Sequence, residues 1–308
     1  MRAPAIEVRG LVKTYGKLKA VGGIDLTVES GQIFAILGPN GAGKTTTVEI
    51  LEGFVKRDAG HVSVLGYDPA KGAAALKERI GIVTQETVAD PFLTVNELVS
   101  LIAGTYARPR PVDEVIDLVG LGDKRKIRAG KLSGGQKRRL DVALALVGDP
   151  DLIFLDEPTT GFDPDARREA WEVIAGLRDL GKTIVLTTHY MDEAERLADR
   201  IAVIAAGRII AEGTPEDLGG RGAARTRIRF KLPPGASLPV ALAALARPDG
   251  EFVELSADDP VRVLHDLTTW ALALGVELAG LDVSRPSLED TYLSLIARAG
   301  AVEEGRPS

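Results

Sequence analysis

The 308-residue sequence predicts an α/β protein built on a parallel sheet, with a helical insertion and a small C-terminal α+β domain. Three observations carry this expectation. Four short aliphatic and β-branched runs, at 33–37, 80–84, 152–155 and 184–188, are bounded by turn or polar residues and separated by helical patterns, as in a parallel sheet. Between 85 and 150 no run reads as a strand, so this stretch is expected to be helical. After a Gly-rich basic connector at 219–225, residues 225–232 alternate strictly. Arg225, Arg227, Arg229 and Lys231 share one face, and Thr226, Ile228, Phe230 and Leu232 the other, as in a half-exposed strand.

Each element has a local cause. The four runs are too short for buried helices and too continuously apolar for one-sided strands. Thr94-Val-Asn-Glu97 is a capping box opening the periodic segment 95–103. The runs 142–147 and 201–206 read as buried elements. Pro233-Pro-Gly235 turns the alternating strand, a strand-like stretch follows at 252–255 and a helix-like one at 261–274, and a last helix is capped at Ser287 and runs to about Arg298. The expected domains are 1–218, with a helical subdomain at about 86–148, and 219–308.

Composition narrows the function classes. The net charge of −6 argues against a protein whose main task is gripping nucleic acid. The absence of cysteine excludes disulfide frameworks and thiolate metal sites. The N-terminal segment is interrupted by Glu7 and Arg9 and lacks a signal-peptide core. No stretch reaches the ~18 uninterrupted apolar residues of a membrane span, so any membrane work is expected to fall to another chain.

Gly38, Pro39, Asn40, Gly41, Ala42, Gly43, Lys44 and Thr45 match G-x-x-x-x-G-K-[S/T] and lie between an apolar strand and a helix, the context of a phosphate-binding loop. Glycines let backbone N–H groups converge on phosphate oxygens, and the helix dipole favours the anion. Lys44 supplies charge to the β- and γ-phosphates, and Thr45, followed by Thr46, offers a hydroxyl to Mg²⁺. The ligand expected from these residues is a nucleoside triphosphate, ATP or GTP, with Mg²⁺. The run 152–155 ends in Asp156 and Glu157, which strand alternation is expected to send to opposite sides. Asp156 is then assigned to Mg²⁺ and Glu157 to the general base or water-positioning role.

Leu132-Ser-Gly-Gly-Gln136 selects among nucleotide-hydrolysing families. Ser133 and Gln136 form a capping box, and Gly134 and Gly135 leave the helix start bare for an anion. With the loop at 38–45 and the Asp-Glu pair, this sequence resembles the ATP-binding-cassette (ABC) ATPases over roughly 5–218. The resemblance implies a RecA-like P-loop NTPase core with an N-terminal antiparallel β portion. It implies that Tyr15 stacks on adenine, that Gln85 contacts Mg²⁺ or water, that Asp163 lies in the D-loop (with Phe162 where most relatives carry Leu) and that His189 reaches the γ-phosphate. It further implies a head-to-tail dimer in which Ser133, Gly134, Gly135, Gln136 and Asp163 complete the partner's site. His61 and His265 have no such support and stay unassigned.

Near the end, Arg285-Pro-Ser-Leu-Glu-Asp-Thr-Tyr-Leu-Ser-Leu295 looks like the tail segment of drug-exporting ABC-2-type cassettes of the daunorubicin-resistance group. The resemblance implies an exporter ATPase, peripheral on the cytoplasmic face of the cell membrane and working with a separate permease. An importer subunit and a soluble non-transport ABC ATPase remain as alternatives at this stage.

Overall fold

The computed structural model describes residues 3–84, 89–223, 225–233 and 235–304. It divides into two compact units, residues 1–215 and 216–308. In the first, strands β1 (Ile6–Tyr15), β2 (Leu18–Val28) and β4 (Ala59–Val64) form an antiparallel sheet in the order β2-β1-β4. The main sheet has six strands in the order β5-β6-β7-β3-β8-β9. These are β3 (Ile33–Leu37), β5 (Ile80–Val83), β6 (Leu152–Asp156), β7 (Thr183–Thr188), β8 (Arg200–Ala205) and β9 (Arg208–Gly213). The first five run parallel to their neighbours, and β9 closes the edge antiparallel to β8.

The four runs read from the sequence are thus strands of one sheet. The run 201–206 supplies a fifth, and β9 escaped detection because its residues are half-exposed and carry no continuous apolar run. Helices α1 (Lys44–Glu52), α2 (Ala74–Lys77), α6 (Pro164–Asp179) and α7 (Met191–Leu197) link strands, while α3 (Val95–Ala103), α4 (Val112–Leu118) and α5 (Gly134–Leu146) fall in the stretch read as helical. Both expected capping boxes are present, Thr94 with Glu97 on α3 and Ser133 with Gln136 on α5. Phe34, Ile36, Phe154 and Val185 of the main sheet pack in one core with Ile6, Leu11, Val28 and Val62 of the antiparallel sheet.

The second unit is a four-stranded antiparallel sheet in the order β11-β12-β10-β13: β10 (Thr226–Phe230), β11 (Ala246–Asp249), β12 (Phe252–Ala257) and β13 (Asp282–Ser284). Ile228 and Phe230 bury against Leu242 of α8 (Val240–Ala243) and Val263 and Leu267 of α9 (Pro260–Leu274). The basic face of β10 meets acids: Arg229 bonds Asp249 at 2.7 Å, Lys231 bonds Glu251 at 2.8 Å, and Arg227 lies 3.3 Å from Glu254. The last helix, α10 (Leu288–Glu304), is capped by Ser287, whose Oγ accepts from the Asp290 N–H at 3.0 Å, and outlasts the end expected at Arg298.

Candidate active site

The glycine loop follows β3 and opens α1. A Cβ on Gly38 would stand 2.3 Å from the Ile204 carbonyl oxygen, and one on Gly43 2.3 Å from that of Ala20, so close backbone approach requires glycine at both positions. Gly43, at φ 101°, is the N-cap of α1; no side chain caps the helix and its first turn holds no acid. The amides of Lys44, Thr45 and Thr46 therefore have no intrahelical acceptor. Lys44 is 5% exposed, and its Nζ donates to the carbonyls of Gly38 at 2.8 Å and Pro39 at 3.2 Å. Among the described residues no carboxylate ion-pairs with it; burial pulls its pKa down, while the charges of Glu157 and Asp156 oppose that. Thr45 is exposed, as are Pro39, Asn40 and Gly41. Tyr15 ends β1 in the hairpin whose Ala20 abuts Gly43, and its ring is exposed.

Parallel register brings the remaining chemistry alongside, because Leu37 pairs with Thr188 and Asp156 with Thr187. The loop, the two carboxylates and His189 therefore leave adjacent strand ends on one edge of the sheet, the usual place for a ligand in such folds. Asp156 accepts a hydrogen bond from the Thr187 hydroxyl. Strand alternation does not extend to Glu157: β6 ends at Asp156, and Glu157 sits in the left-handed region at φ 45°. That backbone is costly for a residue with a Cβ and is held by the Glu157 N–H, which donates to Thr187 O and Oγ1, both at 3.1 Å. Thr160 Oγ1 donates to Glu157 Oε2 at 3.1 Å. His189 Nδ1 lies 3.3 Å from Glu157 Oε1 but makes no aligned hydrogen bond.

Ser133 and Gly134 are exposed at the start of α5, with Ser133 Oγ accepting from the Gln136 N–H and Gln136 Oε1 from the Ser133 N–H. A Cβ on Gly134 would meet nothing within 4 Å. Asp163 caps α6, accepting from the Ala166 N–H at 2.8 Å. Gln85 lies outside the described residues.

Two residues at the site went unread in the sequence. Arg138 is 7% exposed and donates to three backbone carbonyls: Thr84, Asp156 (2.7 Å) and Pro158 (3.1 Å). It sits inside Lys137-Arg138-Arg139, a run that looks like a solvated helix face. Glu193 is fully buried in α7 among Asp192 and Glu195, with the same disguise. The available signal was the helical period, which places Glu193 one turn before the buried Leu197.

Comparison with known proteins gives a consistent result. Residues 21–160 match the family described as ABC transporter, and 226–287 a C-terminal domain described as ABC transporter domain-containing protein-like. The chain is 40% identical over 307 residues to the daunorubicin/doxorubicin resistance ATP-binding protein DrrA of Streptomyces peucetius, covering 94% of this chain and 92% of that one. It is 36% identical over 307 residues to the linearmycin resistance ATP-binding protein LnrL of Bacillus subtilis strain 168, covering 95% and 98%. It is 40% identical over 309 residues to the Nod factor export ATP-binding protein I of a Rhizobium species, strain N33, covering 97% and 99%. Among solved structures, cbiO1 from Clostridium perfringens, part of the ABC transporter complex cbiONQ, is 30% identical at a TM-score of 0.66, covering 70% of this chain and 90% of that one. The dimeric post-hydrolysis state of the ATP-binding cassette MJ0796 bound to ADP and Pi is 26% identical at a TM-score of 0.60, covering 68% and 98%.

Proposed function

The chain belongs to the ABC transporter ATP-binding proteins of the drug-resistance type, and from that premise we propose how its residues bind and split ATP and what that drives. It is the ATPase subunit of an exporter of drugs or other hydrophobic compounds. Relatives named for drug resistance and Nod factor export favour this over an importer or a non-transport ATPase.

The residues fit Mg-ATP. A buried ammonium whose hydrogen bonds among the described residues go to backbone carbonyls calls for an anion, and the uncapped amides of α1 call for the same one. Lys44, Thr45, Thr46 and the backbone of 38–43 would hold the phosphates, and the exposed ring of Tyr15 would stack on adenine. Thr45, Asp156 and Gln85 would hold Mg²⁺, a hard cation that neutralises charge on the β- and γ-phosphate oxygens. Glu157 takes the proton of the attacking water, and His189 donates to the γ-phosphate beside it. The observation that carries this reading is the convergence of loop, carboxylates and imidazole on adjacent parallel strand ends.

Ser133, Gly134, Gly135, Gln136 and Asp163 serve the site of a second copy, and the exposure of Ser133, Gly134 and Asp163 supports that. The membrane partner is an ABC-2-type permease, and the chain works on the inner face of the cell membrane. No helix among the described residues is long and apolar enough to cross a membrane. A mostly apolar cleft of about 330 Å³, lined by Ile82, Leu93, Leu98, Leu101, Ile102 and Leu144 together with Asp90 and Asp141, suits a docking permease helix.

Glu157→Gln tests the catalytic reading. The variant should bind ATP, lose hydrolysis and elute as an ATP-dependent dimer in size exclusion with light scattering. Normal turnover removes Glu157 from its role.

A further inference from the structure

Two chain segments carry Glu157 and His189, and one buried side chain reaches the elements behind both. Glu193 Oε1 accepts from Thr159 Oγ1 at 2.7 Å and from the Trp171 indole Nε1 at 3.1 Å. Thr159 lies two residues beyond Glu157, and Trp171 belongs to α6, whose N-cap is Asp163. The Thr188 hydroxyl, one residue before His189, also favours the ionised carboxylate, although its aligned hydrogen bond is the one that Oγ1 accepts from the Tyr190 N–H at 3.0 Å. Thr159, Thr188 and Glu193 are all buried. Arg138 holds the main chain of the same loop at Asp156 and Pro158.

Placing a carboxylate here is costly. Burial raises its pKa, and among the described residues Oε2 has no hydrogen-bond partner. An apolar side chain would fill the space without that cost but could not accept hydrogen bonds from two separate elements at once. We propose that Glu193 is a positioning residue for hydrolysis: it ties the loop bearing Glu157 and α6, whose N-cap is Asp163, to α7, the helix that begins two residues after His189. This rests on the catalytic reading of Glu157 and His189 given above.

The test compares the full-length variants Glu193→Ala, Glu193→Gln and Glu157→Gln in steady-state ATPase assays and ATP-binding titrations. In Glu193→Ala, kcat should fall about 10- to 100-fold with ATP affinity unchanged, because the reacting groups shift while the phosphate loop does not. Glu193→Gln keeps a carbonyl acceptor for Thr159 and Trp171 and should recover most of the loss. Should Glu193→Ala not fold, Thr159→Val and Trp171→Phe each remove one donor and should lower kcat at constant ATP affinity. An unchanged kcat, a parallel fall in kcat and ATP affinity, or a Gln variant no better than Ala overturns the proposal. If Glu157→Gln turns over normally, the catalytic reading itself fails. If Glu157→Gln is inactive while Glu193→Ala is normal, only the positioning role fails.

Discussion

His189 Nδ1 stands 3.3 Å from Glu157 Oε1, close enough for an ion pair but out of line for a hydrogen bond. The imidazole instead lies against the Tyr190 ring, centroids 4.1 Å apart, and the Arg167 guanidinium sits 4.2 Å from that ring's centroid. Glu157 gives its other oxygen to Thr160. Carboxylate and imidazole are thus neighbours without being committed partners. A water and a phosphate oxygen can engage both without first breaking a strong bond between them.

His189→Ala should therefore lower kcat about 10²- to 10³-fold, within the range for losing a polar group that acts in the transition state. The KM for ATP should change little, since the phosphate loop does not depend on the imidazole. Steady-state ATPase assays check this, and a large rise in KM at constant kcat would assign His189 to ground-state binding instead.

Lys44→Ala should separate binding from stability. Burial disfavours the ammonium, while its carbonyl contacts and the charges of Glu157 and Asp156 favour it, so these opposing effects should leave Tm of the free chain little changed. The variant should, however, lose the ATP-induced rise in Tm. For the wild type at 100 times Kd that rise corresponds to about 2.7 kcal/mol. Thermal shift with and without Mg-ATP reads both effects.

How far the sequence carried the site depends on whether a feature is local. The capping boxes at Thr94 and Ser133 and the glycine loop are complete within a few residues, so they were legible. The hairpin β1–β2 was not read from periodicity, because register shifts between Val8 and Leu11 and between Lys13 and Thr14 break the period-two pattern. That Glu157 leaves the strand in a left-handed conformation was not legible, since a positive φ at a glutamate has no local sequence signature. Arg138 and Glu193 stayed hidden because burial of a charge is set by elements distant in sequence, here Thr84, Asp156, Thr159 and Trp171.

Arg138→Leu should cost stability as well as activity. Three carbonyls that now share one guanidinium would be left without it, a loss on the order of 3–5 kcal/mol by analogy with breaking a buried charged network. Arg138→Lys should rescue little, because an ammonium cannot reproduce the planar fork that spans three acceptors. Denaturant unfolding of both variants gives the comparison; a Lys variant as stable as wild type would show that charge alone suffices.

Glu52 supplies a pH signature. It ends α1, where the helix dipole disfavours a negative charge, and burial, then Asp156 and Glu49, raise its pKa from 4.5 to about 8. The folded chain thus keeps this proton up to about pH 8, whereas the unfolded chain releases it near 4.5. The folded state binds more protons across that window, so the group's contribution to stability falls as pH rises from 4.5 to 8 and is flat above it. Glu52→Gln removes this dependence. Its Tm relative to wild type should climb through the same window and then level off, by about 2–4 °C for each kcal/mol relieved. Thermal unfolding of both proteins in buffers from pH 4.5 to 9 checks this, and Tm curves that stay parallel would show that Glu52 ionises as it does in water.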